Sequence, residues 1–429
     1  MQSLRSLQSH FARLAGIAYF VPLSAAALML GVAMSFTAPY LSLFGVEAAG
    51  MSPSLAGVFM TLIAASGVVA STWAGRWSDR RDRHRPLLVV SLAAAALGFA
   101  LLCVLRAHGP AIAAGTILLG AGAVSLSQIF SFARAVLPVA DDAQRELASA
   151  ALRTMLSIAW VFGPALGALI LAQTGFTGLF LAASAGFVAC AAIVARIPEP
   201  ARRPAAVHVR AMDRTAPSPD DARAAAAVVA PRASVLRTLV ALTLIGLAAN
   251  ATMIVLPLYI VRALGGTPAN VSAALGLAAL LEIPMMLWLG IRSTRLDKAH
   301  WLTACALVHA AYFIGLAAVT RVSLILPLQL LSACVVAITS CLGMTRVCDL
   351  MPTRPGTATA MFFSTARVGS IASGVLSGAC VDLFGYRATF AGCCGLALVA
   401  CALLAVDAYG ERGGAGRTSA ARRGFDSPH

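Results

Sequence analysis

Glu282 is the one acidic residue standing well inside a long apolar stretch, in the run ALLEIPMMLWLG. An ionised carboxylate within a bilayer costs about 3 kcal/mol or more, so this side chain must be protonated, paired or turned towards water. It serves either as a proton-coupling or substrate-binding carboxylate, or as the structural partner of an arginine. Three arginines are placed as buried cations: Arg153 and Arg367, a turn or more inside apolar runs, and Arg134, near the end of another. Each could instead snorkel to the membrane edge. Tyr40, Gln128, Trp160, Asn250 and Gln329, on different apolar runs, complete a candidate substrate cavity. Amides and carboxylates hydrogen-bond hydroxyl groups, and an aromatic face covers C–H groups, so as a set they suit a small polar substrate. Taken singly, each also reads as a helix–helix contact.

Two motifs point to movement. The segment Gly75-Arg-Trp-Ser-Asp79-Arg80-Arg-Asp-Arg83-His-Arg85 follows an apolar run. An aspartate at a helix end accepts hydrogen bonds from the first amides of another helix or from arginine, which makes a latch that rocking can break. Arginines alone would be ordinary stop-transfer charge; Gly75, four residues before Asp79, favours the gating latch. The second motif is Gly163-Pro164-x-x-Gly167. Its proline removes one backbone hydrogen bond and its glycines allow close helix approach, so the segment can bend or pack tightly between halves. No catalytic constellation accompanies these residues. There is no nucleophile–base pair, and the ten cysteines lie in apolar stretches without metal-ligand spacing, as small packing residues. The sequence therefore predicts no enzyme, no metal and no cofactor.

These residues must be positioned by membrane-spanning helices. Of 429 residues, 59% are hydrophobic and 11% charged, against roughly 25% charged in a soluble domain. The mean hydropathy is +0.85. Apolar runs fall at about 19–45, 53–75, 87–106, 111–134, 149–173, 176–196, 234–262, 269–291, 301–320, 323–346, 357–382 and 385–408, each near the ~20 residues that one crossing needs. The expected fold is an all-α membrane protein with twelve transmembrane helices in two pseudo-symmetric six-helix bundles. The halves are residues 1–196 and 234–410, joined by a Pro- and Ala-rich cytoplasmic linker, 197–233, and followed by a disordered tail, 411–429. The first run is long enough to span, so it reads as the first helix and not as a cleaved leader.

Charge sets the orientation. With the N-terminus inside, the outer loops hold Arg106, Arg262, Arg321 and Arg387, Arg367 lies within a span, and about 27 of the 32 basic residues are inside. Both termini are then cytoplasmic. The net charge of +15 reads as this topology and not as nucleic-acid binding.

The halves repeat. Arg153 and Arg367 open related segments 214 residues apart, and Gly163-x-x-x-Gly167 is echoed by Gly374-x-x-x-Gly378 at a shift of 211. Gly175 with Phe180 is matched by Gly385 with Phe390 at a shift of 210, and Gly31 and Pro53 by Gly246 and Pro268 at 215. Four pairs at nearly one shift indicate a six-helix unit duplicated in the same orientation.

Two parallel six-helix halves are the arrangement of major facilitator transporters. The loop from Gly75 resembles that superfamily's signature loop, and the Gly163-Pro164 segment resembles its antiporter motif. In more detail, Ala38-Pro-Tyr-Leu-Ser-Leu-Phe44, Gln128-Ile-Phe-Ser-Phe-Ala-Arg134, Arg153 with Leu156-Ser-Ile-Ala-Trp-Val-Phe-Gly-Pro164, Leu281-Glu-Ile-Pro284, Asp349-Leu-Met-Pro352 and Arg367-Val-Gly369 resemble the bacterial sugar efflux transporter family. The resemblance implies export of sugars or glycosides, driven by the proton gradient and working by alternating access. The partners are then a small-molecule substrate, protons and the lipid bilayer, with a monomer as the default state. A drug/proton antiporter of broader specificity is the alternative, favoured by a purely aromatic and apolar cavity. A membrane enzyme or receptor without transport is a third, which lacks any catalytic constellation to support it.

Overall fold

A computed structural model describes residues 16–81, 83–138, 142–198, 232–292, 296–352 and 355–425. Every regular element among them is helical. In chain order these are α1 Phe20–Glu47, α2 Pro53–Arg81, α3 Arg85–Val104, α4 His108–Val136 and α5 Asp142–Ala195. After them come α6 Arg232–Ala263, α7 Pro268–Arg292, α8 Lys298–Ala318, α9 Val322–Leu350 and α10 Pro355–Phe425. Ten helices among the described residues are long and apolar enough to cross a membrane.

Two of the ten are double-length. The apolar parts of α5 and α10 run 45 and 52 residues, enough for two crossings each at ~20 residues. Each is broken at one glycine. Gly175 has φ 65°, ψ −167°, and Gly385 has φ 82°, ψ 174°, a conformation that is essentially open to glycine alone. The duplication read from sequence is thus visible in the backbone. A second pair repeats it at the ends of α1 and α6. Gly50 and Gly265 have φ 67° and 66°. The Ala49 and Leu264 amides donate to Phe44 O and Tyr259 O at 3.0 and 3.1 Å, and those of Met51 and Gly266 to Gly45 O and Ile260 O at 2.8 Å each. Pro53 and Pro268 then open the next helices, where their missing N–H is no loss.

A third repeated contact changes hands. Arg106, just past α3, donates to Thr177 Oγ1 at 2.8 Å. In the second half Arg387 stands at the position equivalent to Thr177 and donates to Val319 O, at the end of α8, at 3.2 Å.

The chain divides into two compact units, residues 1–209 with 254–276, and residues 210–253 with 277–429. The sequence draws the boundary at the linker, of which 199–231 lie outside the described residues. Packing draws it differently, because Ile254–Gly276 binds α1: Ser42 Oγ donates to Ile254 O at 3.1 Å, and Arg262 reaches Val46 O at 3.5 Å and Glu47 at 4.0 Å. The first unit also holds an aromatic cluster of Phe44, Phe99, Phe176, Phe180 and Phe187. The second has an apolar core around Leu242, Leu302, Val335, Leu342 and Leu404. There Arg237 of α6 forms an ion pair with buried Asp407 of α10 through Nε, at 2.8 Å, and Nη2, and Thr238 lies 3.4 Å from the other carboxylate oxygen.

The tail read as disordered begins inside a helix. α10 continues past the membrane segment to Phe425. Alanine and arginine are good helix formers, and extending a helix needs no new nucleus. Residues 426–429 lie outside the described residues.

Candidate functional site

In the first unit the helix-breaking motif of α5 is a seat for α1. A Cβ added at Gly163 would fall on Ser35 Oγ, and one at Gly167 on Phe36 O and, at 2.9 Å, on the Tyr40 ring. Gly31 of α1 meets Ala159 in the same way at 2.7 Å. Two hydroxyls of α1 bracket Pro164: Ser35 Oγ donates to Ala159 O at 2.8 Å, and Tyr40 Oη to Pro164 O at 3.0 Å. Pro268 O, at 3.3 Å, is a second acceptor for Tyr40, whose side chain is 0% exposed. The motif therefore packs within one unit, where the sequence placed it between halves. Its three residues, Gly163, Pro164 and Gly167, act by letting two backbones approach.

Gln128 of α4 is buried too. Its Nε2 lies 3.5 Å from Ser78 Oγ of α2, and its Oε1 has no partner among the described residues. Trp160 is half-buried on α5, and Arg134 and Arg153 are exposed. The Arg153 guanidinium stands 5.7 Å over the ring of Phe130 on α4, one turn from Arg134.

In the second unit Glu282 is half-buried on α7, within the apolar segment Pro268–Met286. Among the described residues it makes no ion pair, so the reading as an arginine's structural partner finds no support there. Arg367 is exposed on α10. Asn250 of α6 is half-buried and donates to Gly246 O of its own helix at 2.8 Å. Gln329 of α9 is buried and donates to Ile325 O, also its own helix, at 3.2 Å. Arg346 is buried near the C-terminal end of α9. It lies 212 residues beyond Arg134, and the repeat would have found it.

The gating segment ends α2. Ser78 Oγ donates to Gly75 O at 3.0 Å, nothing lies within 4 Å of a Cβ added at Gly75, and Arg80 and Arg83 are exposed. Of Asp79 only the helical backbone is described, and Asp82 lies outside the described residues. Arg81 stacks on Trp77 at 4.9 Å, and Arg85 donates to Ile197 O at 3.3 Å. In the second half, Asp297 caps α8, accepting from Ala299 N at 3.1 Å and His300 N at 3.3 Å, with His300 Nδ1 at 2.7 Å. Slight burial raises its carboxyl, but the hydrogen bonds from His300 and Ala299 outweigh this and hold it below the usual range. Lys298 beside it pairs with Asp349 at the end of α9, at 2.5 Å. No group of three or more His, Cys, Asp or Glu among the described residues could hold a metal ion.

Comparison with known proteins decides the family. The model of the Major Facilitator Superfamily matches residues 23–345 and, in a second placement, 238–427. A protein of Deinococcus radiodurans described as a sugar efflux transporter is 37% identical over 379 residues, 88% of this chain and 95% of that one. Sugar efflux transporter A of Dickeya chrysanthemi is 30% identical over 369 residues, 85% of this chain and 89% of its own. The chain belongs to the sugar efflux transporter family of the major facilitator superfamily.

Solved superfamily structures share its fold. The nucleoside transporter NupG covers 91% of the chain, with 98% of its own matched, at a TM-score of 0.73 and 14% identity. The peptide transporter PepTSo covers 92%, with 98% of its own matched, at 0.68 and 13%. This sugar efflux family member is therefore a multi-pass membrane transporter, and the arginines and Glu282 within its apolar helices have to be explained as parts of a transporter.

Proposed function

We propose that this protein exports sugars or related small polar molecules across the bacterial inner membrane by alternating access, coupled to protons. The observation that carries the substrate class is the 37% identity over 88% of the chain to a protein described as a sugar efflux transporter. The fold reading is twelve crossings, with α5 and α10 each counted as two arms meeting at Gly175 and Gly385. Both termini and the linker are then cytoplasmic, as the distribution of basic residues favours.

Glu282 is the proton or substrate carboxylate in this reading. A carboxylate in an apolar span, half open to its surroundings and without an ion pair among the described residues, is best accommodated beside a water-filled path. Arg367, exposed on an apolar helix, calls for the same path. Asn250, in the same unit, remains a candidate for its lining and Trp160 a candidate substrate contact of the first unit, while Tyr40, Gln128 and Gln329 would act by holding helices. Asp79, Arg80 and Arg83 form the inner latch.

The test is efflux of radiolabelled lactose and glucose from preloaded, energised cells, with and without a protonophore and with Glu282→Gln. The proposal requires faster sugar loss with the wild-type protein, abolished by either treatment. Unchanged sugar loss together with expulsion of a cationic dye would move the substrate class to drugs.

A further inference from the structure

α8 and the second arm of α10 leave a groove between them. It has a volume of about 370 Å³ and is lined by Ile314, Ala317 and Ala318 of α8 and by Ala391 and Cys394 of α10. All five residues belong to the second unit. The space exists because four of the five side chains are small, and its size is within the ~300–1,000 Å³ of ligand sites. The groove offers no hydrogen-bonding side chain beyond one thiol, and Ile314 on its wall is 60% exposed. On helices that cross a bilayer, such a surface meets hydrocarbon.

The mouth of the groove is positive. Arg387 stands one turn before Ala391 and donates to the carbonyl of Val319, the residue after Ala318, at 3.2 Å. Its guanidinium is therefore held across the head of the groove, from one helix to the other. Arg321, two residues past Val319, is exposed. Asp382 is the one acidic residue within ten positions of either arginine, so two positive charges stand against one. The other two arginines of the outer loops are engaged by side chains, Arg106 by Thr177 and Arg262 by Glu47. Snorkelling brings a cation to headgroup level wherever it stands near a helix end. What marks this place is the apolar groove directly beneath, within about one turn, ~5 Å, of both helix ends.

A phospholipid is divided in the same way, a charged phosphate above a hydrocarbon chain. We propose that the groove holds one acyl chain of an anionic phospholipid whose phosphate is bound by Arg321 and Arg387. The chain lies between Ile314 and the alanines. Arg387 spends one donor on Val319 and keeps the rest of its fork for phosphate oxygens, bonds that are charge-assisted. The excess of positive charge selects a headgroup without an ammonium of its own. Bound there, the lipid spans the gap between α8 and the second arm of α10, beside the clasp that Arg387 already makes. The inference does not depend on which substrate the protein carries.

The test titrates the full-length protein, stripped of lipid in detergent, with phosphatidylglycerol and with phosphatidylcholine of the same chains, counting bound lipid by native mass spectrometry. Wild type is expected to hold phosphatidylglycerol about tenfold or more tightly than phosphatidylcholine, and Arg321→Gln to lose about fivefold of that preference, the scale of one cation beside an anionic lipid. Ala391→Phe fills the groove and weakens both lipids. Val188→Phe adds bulk at an exposed site of the first unit; it is the control and changes neither. Separately, the fluorescence gained by Ile314→Trp over wild type is expected to be quenched by dibrominated phosphatidylglycerol at a lower lipid ratio than by dibrominated phosphatidylcholine, a readout that survives if Ala391→Phe folds poorly. Equal binding of the two lipids by wild type overturns the proposal and leaves only the annular lipid that any membrane protein attracts. A full preference in Arg321→Gln, lipid binding unchanged in Ala391→Phe, or Ile314→Trp quenched equally by both lipids also overturns it, by moving the site elsewhere.

Discussion

Gly175 and Gly385, 210 residues apart, break their helices with nearly the same backbone conformation, φ 65° and 82° with ψ close to 180°. A Cβ at either site meets no neighbour within 4 Å, so space does not forbid a side chain; only the backbone angle does. Gly175→Ala and Gly385→Ala should each cost about 1–3 kcal/mol. Thermal unfolding in detergent reads this directly. Alanine variants as stable as wild type would show that the break is not fixed by these angles.

Gly163→Ala is a different kind of loss. Its methyl would land on Ser35 Oγ, and overpacking of this kind costs about 1–3 kcal/mol. Ser35→Gly should recover part of the loss in the double variant although it is destabilising alone. A double-mutant cycle with no coupling would remove the direct contact as the reason for this glycine.

Asp407 is buried and tied to Arg237. Removing the cation alone, as in Arg237→Ala, strands a buried carboxylate and should destabilise the second unit by about 3–5 kcal/mol. Replacing both partners by leucine should cost less than the single change. The comparison is made by melting temperature in one detergent, and a double variant worse than Arg237→Ala would contradict it.

Asp297→Ala removes the cap of α8 and should cost about 1 kcal/mol. Its pH dependence follows from the lowered carboxyl. A carboxylate that ionises more readily when folded stabilises fully above the ordinary value of about 4, and that stabilisation fades as the pH falls through its lowered folded value. The stability difference between wild type and Asp297→Asn should therefore shrink in acid and stay constant from neutral pH upward.

The crossing segments were legible because bilayer thickness fixes their length, and the duplication because Gly, Pro and Arg recur at one shift. Which side of each helix faces a path was not. Helices such as α1 and α6 are apolar nearly all round, so no polar stripe orients them. Tyr40 and Gln329 stand out in composition, yet both turn inward and bond backbone carbonyls. Nothing local in the sequence says that a tyrosine's acceptor lies 124 residues away at Pro164. The helix count differs for a related reason: one glycine at an extreme angle separates two arms, and α5 and α10 otherwise run on without a loop.

The exchange of donor and acceptor between Arg106–Thr177 and Arg387–Val319 bears on how the two repeats have diverged. A chimera carrying the second arm of α10 in place of that of α5 would bring the Arg387 equivalent beside Arg106, with the Leu105 carbonyl, at the position of Val319, as its acceptor. The reverse graft would set a threonine hydroxyl against the Val319 carbonyl, a pairing that still bonds. The two clasps thus tie the same pair of elements through different chemistry, a side-chain acceptor in one half and a backbone carbonyl in the other.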